Sequence, residues 1–255
     1  MDDRALLDAM WSNTALVRAL GHAGAGAQLV ERDGLVAAVV PVCPECSVIN
    51  SVAYAEPAGL VDAYDELAGV YDAAGIEAWT VWVPEADAES AAFLERRGHV
   101  RDAAPMGMGA PLDQVAGPSG DFPGDLSREP DPALLGKLND RAYGYEGSFE
   151  RALGGISPGA AHWYTAFLEG EPVSGLVIFD DGGDAEVDFV ATVPEARGRG
   201  LAGALMARAL ADARERGRVT TTIVATKMGQ SVYERMGYRP LGTVEMWERR
   251  RTAAA

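Results

Sequence analysis

Residues 193–205, Val193-Pro194-Glu195-Ala196-Arg197-Gly198-Arg199-Gly200-Leu201-Ala202-Gly203-Ala204-Leu205, run from an apolar strand pattern through a glycine-rich turn into a helical pattern. Leu201, Leu205, Ala209 and Ala213 fall on one stripe, which Met206 and Leu210 widen. The first amides of such a helix have no intrahelical acceptor. Gly198 and Gly200 let a bulky anion come close to the backbone. The chemistry on offer is anion binding at a helix N-terminus. Residues 197–218 add Arg197, Arg199, Arg208, Arg214, Arg216 and Arg218 against only Asp212 and Glu215, a basic patch suited to a phosphorylated cofactor. The plainer alternative is a row of arginines that solvate an exposed helix. The GxxxxGK[ST] pattern of a P-loop is absent, and the glycines fit a dinucleotide fingerprint poorly.

The surrounding elements must bring this turn to a substrate. Residues 111–132 concentrate proline, glycine and acidic residues without apolar periodicity, and mark a linker. The division is a first domain at 1–110, a linker at 111–130 and a second domain at 131–255. The first half reads as a helix at 3–20, strands at 27–32 and 35–41 joined by Asp33-Gly34, and an apolar segment at 48–54. A helix at 58–74, a strand at 78–83, a helix at 87–97 and a short strand at 106–108 follow. The second half reads as a helix at 133–143, strands at 161–169, 172–180 and 184–193, and a helix at 200–216. It closes with a strand at 219–225, a helix at 228–236 and a strand at 242–248. This order predicts an α/β sandwich on a largely antiparallel sheet. Phe93-Leu94-Glu95-Arg96-Arg97-Gly98-His99 and Val232-Tyr233-Glu234-Arg235-Met236-Gly237-Tyr238 occupy the same place in the two halves, each ending a helix at glycine. The halves therefore read as a duplication.

The turn resembles the acyl-coenzyme A signature of the GCN5-related N-acetyltransferase family: Gln or Arg, two residues, Gly, one residue, then Gly or Ala. Here it is Arg197, Gly198, Arg199, Gly200, Leu201, Ala202, preceded by Val193-Pro194-Glu195 and followed at the expected distance by Tyr233, Gly237 and Tyr238. The resemblance covers about 131–250, with the first half a degenerate copy, and implies a tandem acyl-CoA N-acyltransferase fold. It places the pyrophosphate of acetyl-CoA on the amides of Gly198 to Gly203. It lays the pantetheine arm beside the strand segment Phe189, Val190, Ala191, Thr192 and Val193. The family often has asparagine seven residues before the helical tyrosine; Thr226 stands there, which puts that supporting contact to the cofactor in doubt.

Acetyl transfer to an amine requires the amine to be neutral, although a free alkylamine has a pKa of about 10.4, and requires a proton for the departing sulfur. A tyrosine stays protonated at neutral pH, and the resemblance assigns the sulfur's proton to Tyr233. For the base, Glu186 lies eleven residues before Arg197, where some relatives carry a glutamate, while others use ordered water. Glu186 and Asp188 share one strand face by alternation, beside Val190 and Thr192. A solvent-exposed face would leave them only adding charge; an apolar surrounding would raise their pKa values.

Substrate contacts are expected from Tyr143, Tyr145, Glu146 and Phe149, with the alternative that these aromatics form local core. His162 and Trp163 read as packing residues. The first half has Glu56 and a single glycine, Gly59, at its equivalent turn, and Leu94 in place of Tyr233, so it reads as structural, with walling of the acceptor pocket as a further role. Cys43-Pro44-Glu45-Cys46 has no second cysteine pair and no histidine at ligand spacing, so no metal site is expected.

The chain of 255 residues carries 38 acidic and 22 basic side chains, a formal net charge of -16. Such a field disfavours nucleic acid and anionic membrane surfaces as partners. The start, Met1-Asp2-Asp3-Arg4, lacks the basic and apolar run of a secretory signal, and the cytoplasm is the default compartment. A small-molecule amine is the expected partner, and a homodimer is left open. The function expected is acetyl-CoA-dependent N-acetylation of a small amine. A non-catalytic acyl-CoA-binding sensor and a protein or peptide N-acetyltransferase are the alternatives.

Overall fold

The computed structural model describes residues 1–117 and 121–251. The first half comprises α1 (Asp3–Ser12), α2 (Ala15–Gly21), β1 (Gln28–Arg32), β2 (Leu35–Val39), β3 (Ser51–Tyr54), α3 (Pro57–Ala73), β4 (Ala78–Pro84), α4 (Ala88–Arg96), β5 (Val100–Ala103) and β6 (Met106–Pro111). The second comprises β7 (Asp125–Ser127), α5 (Pro132–Tyr143), α6 (Ser148–Leu153), β8 (His162–Leu168), β9 (Glu171–Asp181) and β10 (Asp184–Thr192). It continues with α7 (Leu201–Glu215), β11 (Thr220–Ala225), α8 (Lys227–Met236) and β12 (Arg239–Arg250). The result is a mixed α/β fold on a mostly antiparallel sheet; β3–β4 and β10–β11 are its parallel pairs among the described residues.

The repeat is visible in the order β3–α3–β4–α4–β5 against β10–α7–β11–α8–β12. Each series opens with a parallel pair bridged by the longer helix. Both short helices stop at a glycine with positive φ, Gly98 at +86° and Gly237 at +101°, a conformation only glycine adopts without strain.

The sheet does not break at the expected domain boundary. Strand β6, at the end of the first half, inserts between β11 and the first part of β12. Residues 244–250 of β12 insert between β4 and β5. Each half thus completes its sheet with a strand from the other, and all the strands join in one sheet. β12 serves both partners because its register shifts between Pro240 and Gly242. The expected linker also contributes β7, which pairs with β8; residues 118–120 of that linker lie outside the described residues. Between the core of each half, a third apolar cluster is shared: Val17, Leu20 and Val36 pack with Phe149, Trp163 and Phe179.

The single helix expected at 3–20 is two helices. Asn13 breaks it, with Oδ1 accepting from the Ala15 amide at 3.2 Å and Nδ2 donating to Phe179 O and Asp184 Oδ2, both at 3.2 Å. A side chain that turns to bond its own and a distant backbone competes with the helical ladder. The break lets α1 pack on β6 and β11, and α2 on β2 with a smaller contact to β9.

Candidate active site

The glycine turn opens from a short 3-10 turn at Pro194–Ala196 and leads into α7. Gly198 and Gly200 both have φ of +76°, and nothing lies within 4 Å of where a Cβ would stand on either. Gly200 is the residue before the helix, and no side chain caps it. Among the described residues, the amides of 198–203 have no hydrogen-bond acceptor; the first bond of α7 is Ala204 N to Gly200 O at 3.0 Å. These are the outward amides and open approach that an anion site needs.

The expected basic patch is smaller than the sequence implied. Arg216 holds Asp180 through two bonds of 2.8 and 3.1 Å, Arg214 binds Leu112 O, and Arg218 binds Gly182 O. These three lie at the far end of α7, about 20 Å from the turn at 1.5 Å per residue. Arg197 braces the turn itself, donating to Thr192 O at 3.2 Å and Ala142 O at 2.7 Å. Arg199 is exposed beside the glycines and has no partner among the described residues. Positive charge at the turn is therefore Arg199, Arg197 and the helix terminus.

Strand β10 supplies the second part. Its ladder to β11 ends at the Glu186–Thr222 rung, so the two strands are unpaired beyond that point. Its ladder to β9 slips between Asp188 and Ala191, and Phe189 takes φ of +50°. This bulge corrects the face expected from simple alternation. Asp188 lies opposite Val177 and Ala191 opposite Gly175, so those two share a face, and Val190 and Thr192 do not continue the face of Glu186 and Asp188. The carbonyls here are engaged by side chains. Asn139 Nδ2 donates to Phe189 O at 3.1 Å, Tyr143 Oη to Val190 O at 2.9 Å and Ser174 Oγ to Ala191 O at 2.8 Å.

Glu186 and Asp188 are half-buried. They line a cavity of about 240 Å³ where the halves meet, with Met10, Trp11 and Leu16 from the N-terminal helices, Trp82 from β4, Thr226 after β11 and Met246 from β12. They are the charged residues of its lining. Burial, then the charges of Asp188, Asp184 and Asp181, push the Glu186 carboxyl well above the usual range. Burial, then Asp184, pushes Asp188 up to about 7. Asp184, buried at the base, accepts from Thr222 Oγ1 at 2.6 Å.

Tyr233 projects from α8 and is buried. Its helix lies beside the glycine turn: a Cβ on Gly203 would meet Val232 at 3.9 Å. Burial, then Tyr143 and Asp188, raises its phenol above the usual value, so those groups are its electrostatic neighbours. Among the described residues its hydroxyl has no hydrogen-bond partner. Thr226, at the start of α8, makes no side-chain cap.

The expected substrate residues fare differently. Phe149 is 5% exposed in the shared core, where it meets Tyr145 and Phe189 edge-on or tilted, and it does not line the cavity. Tyr145 and Glu146 are exposed and also lie off the cavity lining. Tyr143 ends α5 and braces the bulge. The walls the sequence reading missed are Trp11 and Trp82; each sits in an ordinary apolar pattern, and only the tertiary fold faces it to the carboxylates. Trp163 is packed as expected, with its Nε1 donating to Pro158 O at 2.8 Å. Cys43 and Cys46 are buried free thiols, and no cluster of metal-ligating side chains is found among the described residues. In the first half the turn has Glu56 and Pro57 in place of the glycines, and buried Leu94 takes the place of Tyr233.

The model of the acetyltransferase (GNAT) family matches residues 126–238. A GCN5-related N-acetyltransferase from Kribbella flavida superposes with a TM-score of 0.65 at 17% identity, over 93% of this chain and 96% of that one. A tandem GNAT protein from the clavulanic acid biosynthesis pathway superposes with a TM-score of 0.61 at 14% identity, over 100% of this chain and 94% of that one. A functionally unknown conserved protein from Staphylococcus epidermidis gives 0.63 at 12% identity, over 95% and 100%. No curated protein matches the chain. The likeness to solved structures runs through both halves and concerns the fold, while the segment with the glycine turn, β10 and Tyr233, residues 126–238, is the part similar to the acetyltransferase (GNAT) family.

Proposed function

We propose that the chain is an acetyl-CoA-dependent N-acetyltransferase that modifies the primary amine of a small molecule. The observation that carries this reading is the convergence of acceptor-free amides at 198–203, Tyr233 on the adjoining helix, and two carboxylates in an apolar cavity. The cradle fits the cofactor on this chain's own evidence: two positive-φ glycines with open space beside them, and a strand gap leading away from the turn. The amides of 198–203 with Arg199 would hold the pyrophosphate, and the edge of β10 from Phe189 to Val193, with Thr226 opposite, would hold the arm. When bound, acetyl-CoA supplies an acetyl group activated as a thioester.

The protein's own groups then divide the proton work. Asp188, titrating at about 7, is ionised in a large share of molecules near neutral pH. It can take a proton from the acceptor's ammonium, which is the poise a general base needs. Glu186, whose carboxyl burial and then Asp188, Asp184 and Asp181 also raise, is the second acidic group beside it. Tyr233 Oη holds its proton throughout this range and donates where thiolate charge develops. The apolar walls of the cavity would limit water around an acyl group bound there.

The test is release of coenzyme A thiol by wild-type protein with acetyl-CoA and a broad amine panel. Amine-dependent release supports the reading. Binding of acetyl-CoA without release by any amine favours a sensor, and release only with peptides favours a protein N-acetyltransferase.

A further inference from the structure

Resting on the reading of this cavity as the acceptor site, we infer that the acceptor is a monoamine carried on an apolar, ring-sized body that bears no second charge and has one hydrogen-bond-accepting atom. The lining supplies the argument. Glu186 and Asp188 are its charged members and stand two residues apart on β10, so positive charge is welcome at one end only. Most of the remaining surface is apolar, with Trp11, Trp82, Met10 and Met246 among its largest side chains, and Asn13, Ser51 and Thr226 are its uncharged polar members. Thioether and aromatic groups of this kind suit a flat apolar body. A cavity of about 240 Å³ has room for one ring and a short chain.

Two buried polar atoms in this lining have no partner among the described residues: Asp188 Oδ2 and Trp11 Nε1. Buried polar groups are seldom left unpaired, and such exceptions call for an explanation. An ammonium answers the first. An ether, hydroxyl or carbonyl oxygen on the body answers the second, because an indole nitrogen only donates. A second ammonium, or a sugar's row of hydroxyls, would instead meet mostly tryptophan, methionine and aliphatic walls, where Ser51 and Thr226 replace only a small part of its hydration.

The experiment compares 2-phenylethylamine, 2-(4-methoxyphenyl)ethylamine, putrescine, glucosamine and a short peptide with a free N-terminus. Binding is measured by calorimetry without cofactor, and kcat/KM by thiol release. The expected result is at least 100-fold higher kcat/KM for the arylalkylamines than for putrescine or glucosamine, with matching order in binding. The methoxy compound should exceed its parent about tenfold, and Trp11→Phe should reduce that ratio towards one. Equal or better use of putrescine, glucosamine or the peptide would overturn the inference and leave the enzyme reading standing. Arylalkylamine binding in the expected order with no thiol release would sink the enzyme reading and keep the inference about the cavity. A methoxy ratio that persists in a folded Trp11→Phe protein would remove Trp11 from recognition and overturn the accepting-atom part.

Discussion

Glu186 lies opposite Thr222 in the last rung that joins β10 to β11, and Asp188, two residues on, stands where the strands are no longer paired. The first carboxylate is thus held in the sheet and the second opens on the gap. Together they line the cavity, and burial with the neighbouring carboxylates raises both of them.

That relationship sets the pH behaviour. With Asp188 as base, kcat/KM should climb as pH rises through about 7, and Asp188→Asn should lose this limb along with about 10²–10⁴ of the rate. A pH–rate profile for wild type and variant with one acceptor checks it; an unchanged limb in the variant would assign the base elsewhere.

The same shift bears on stability. The Asp188 carboxyl rises from 3.8 to about 7 on folding, so the folded state keeps a proton that the unfolded chain releases. This contribution is full below about pH 4 and is lost as pH rises through 7. Asp188→Asn removes the cost of ionising this carboxyl in the folded state, and should be more stable than wild type at pH 8 by roughly 1–3 kcal/mol, discounted because the carboxylate faces a cavity and not a sealed core. At pH 4 the two should differ little. Denaturant titrations at both pH values test the sign.

Gly200→Val should weaken acetyl-CoA binding at least tenfold. A branched residue at φ of +76° is strained, at a cost of about 1–2 kcal/mol, and its side chain would fill the approach to the free amides. Calorimetry on a folded variant decides: near-wild-type affinity would move the cofactor site away from this turn.

Tyr233→Phe keeps the ring packing and removes the proton donor. Turnover should fall by about 10²–10⁴ with little change in acetyl-CoA affinity. Steady-state thiol release and calorimetry on one preparation separate the two; unchanged turnover, where chemistry limits the rate, would exclude Tyr233 as the acid.

The exchanged strands predict cooperative unfolding of the whole chain. Because β6 completes the second half and residues 244–250 complete the first, neither half has a full sheet alone. Guanidinium titrations followed by tryptophan fluorescence and by far-ultraviolet circular dichroism should coincide. Removing 244–255 should destabilise both halves together. Two separated transitions in the wild type would show that the halves are independent.

What the sequence made legible was local. The turn could be read because a strand, two glycines and a helical stripe are contiguous, and their chemistry does not depend on the rest of the chain. The repeat of 93–99 at 232–238 was readable for the same reason. The carboxylates of β10 were found, but not the walls that raise their pKa values, since Trp11 and Trp82 arrive from distant elements. Alternation failed at Phe189, where a bulge changes the face, and helical periodicity ran past Asn13, whose side chain is recruited by Phe179 and Asp184. The arginines of α7 looked like one basic patch because composition does not record that Asp180 and backbone carbonyls take several of them. Strand exchange left no trace, as each strand pattern is equally satisfied by either partner.

The measurement that tests the central claim most directly is thiol release from acetyl-CoA by the wild-type chain, with and without amines, beside the Gly200→Val variant. The account predicts release that depends on an amine, saturates with it, and falls sharply in the variant. Acetyl-CoA binding at one site per chain with no amine-dependent release would contradict it.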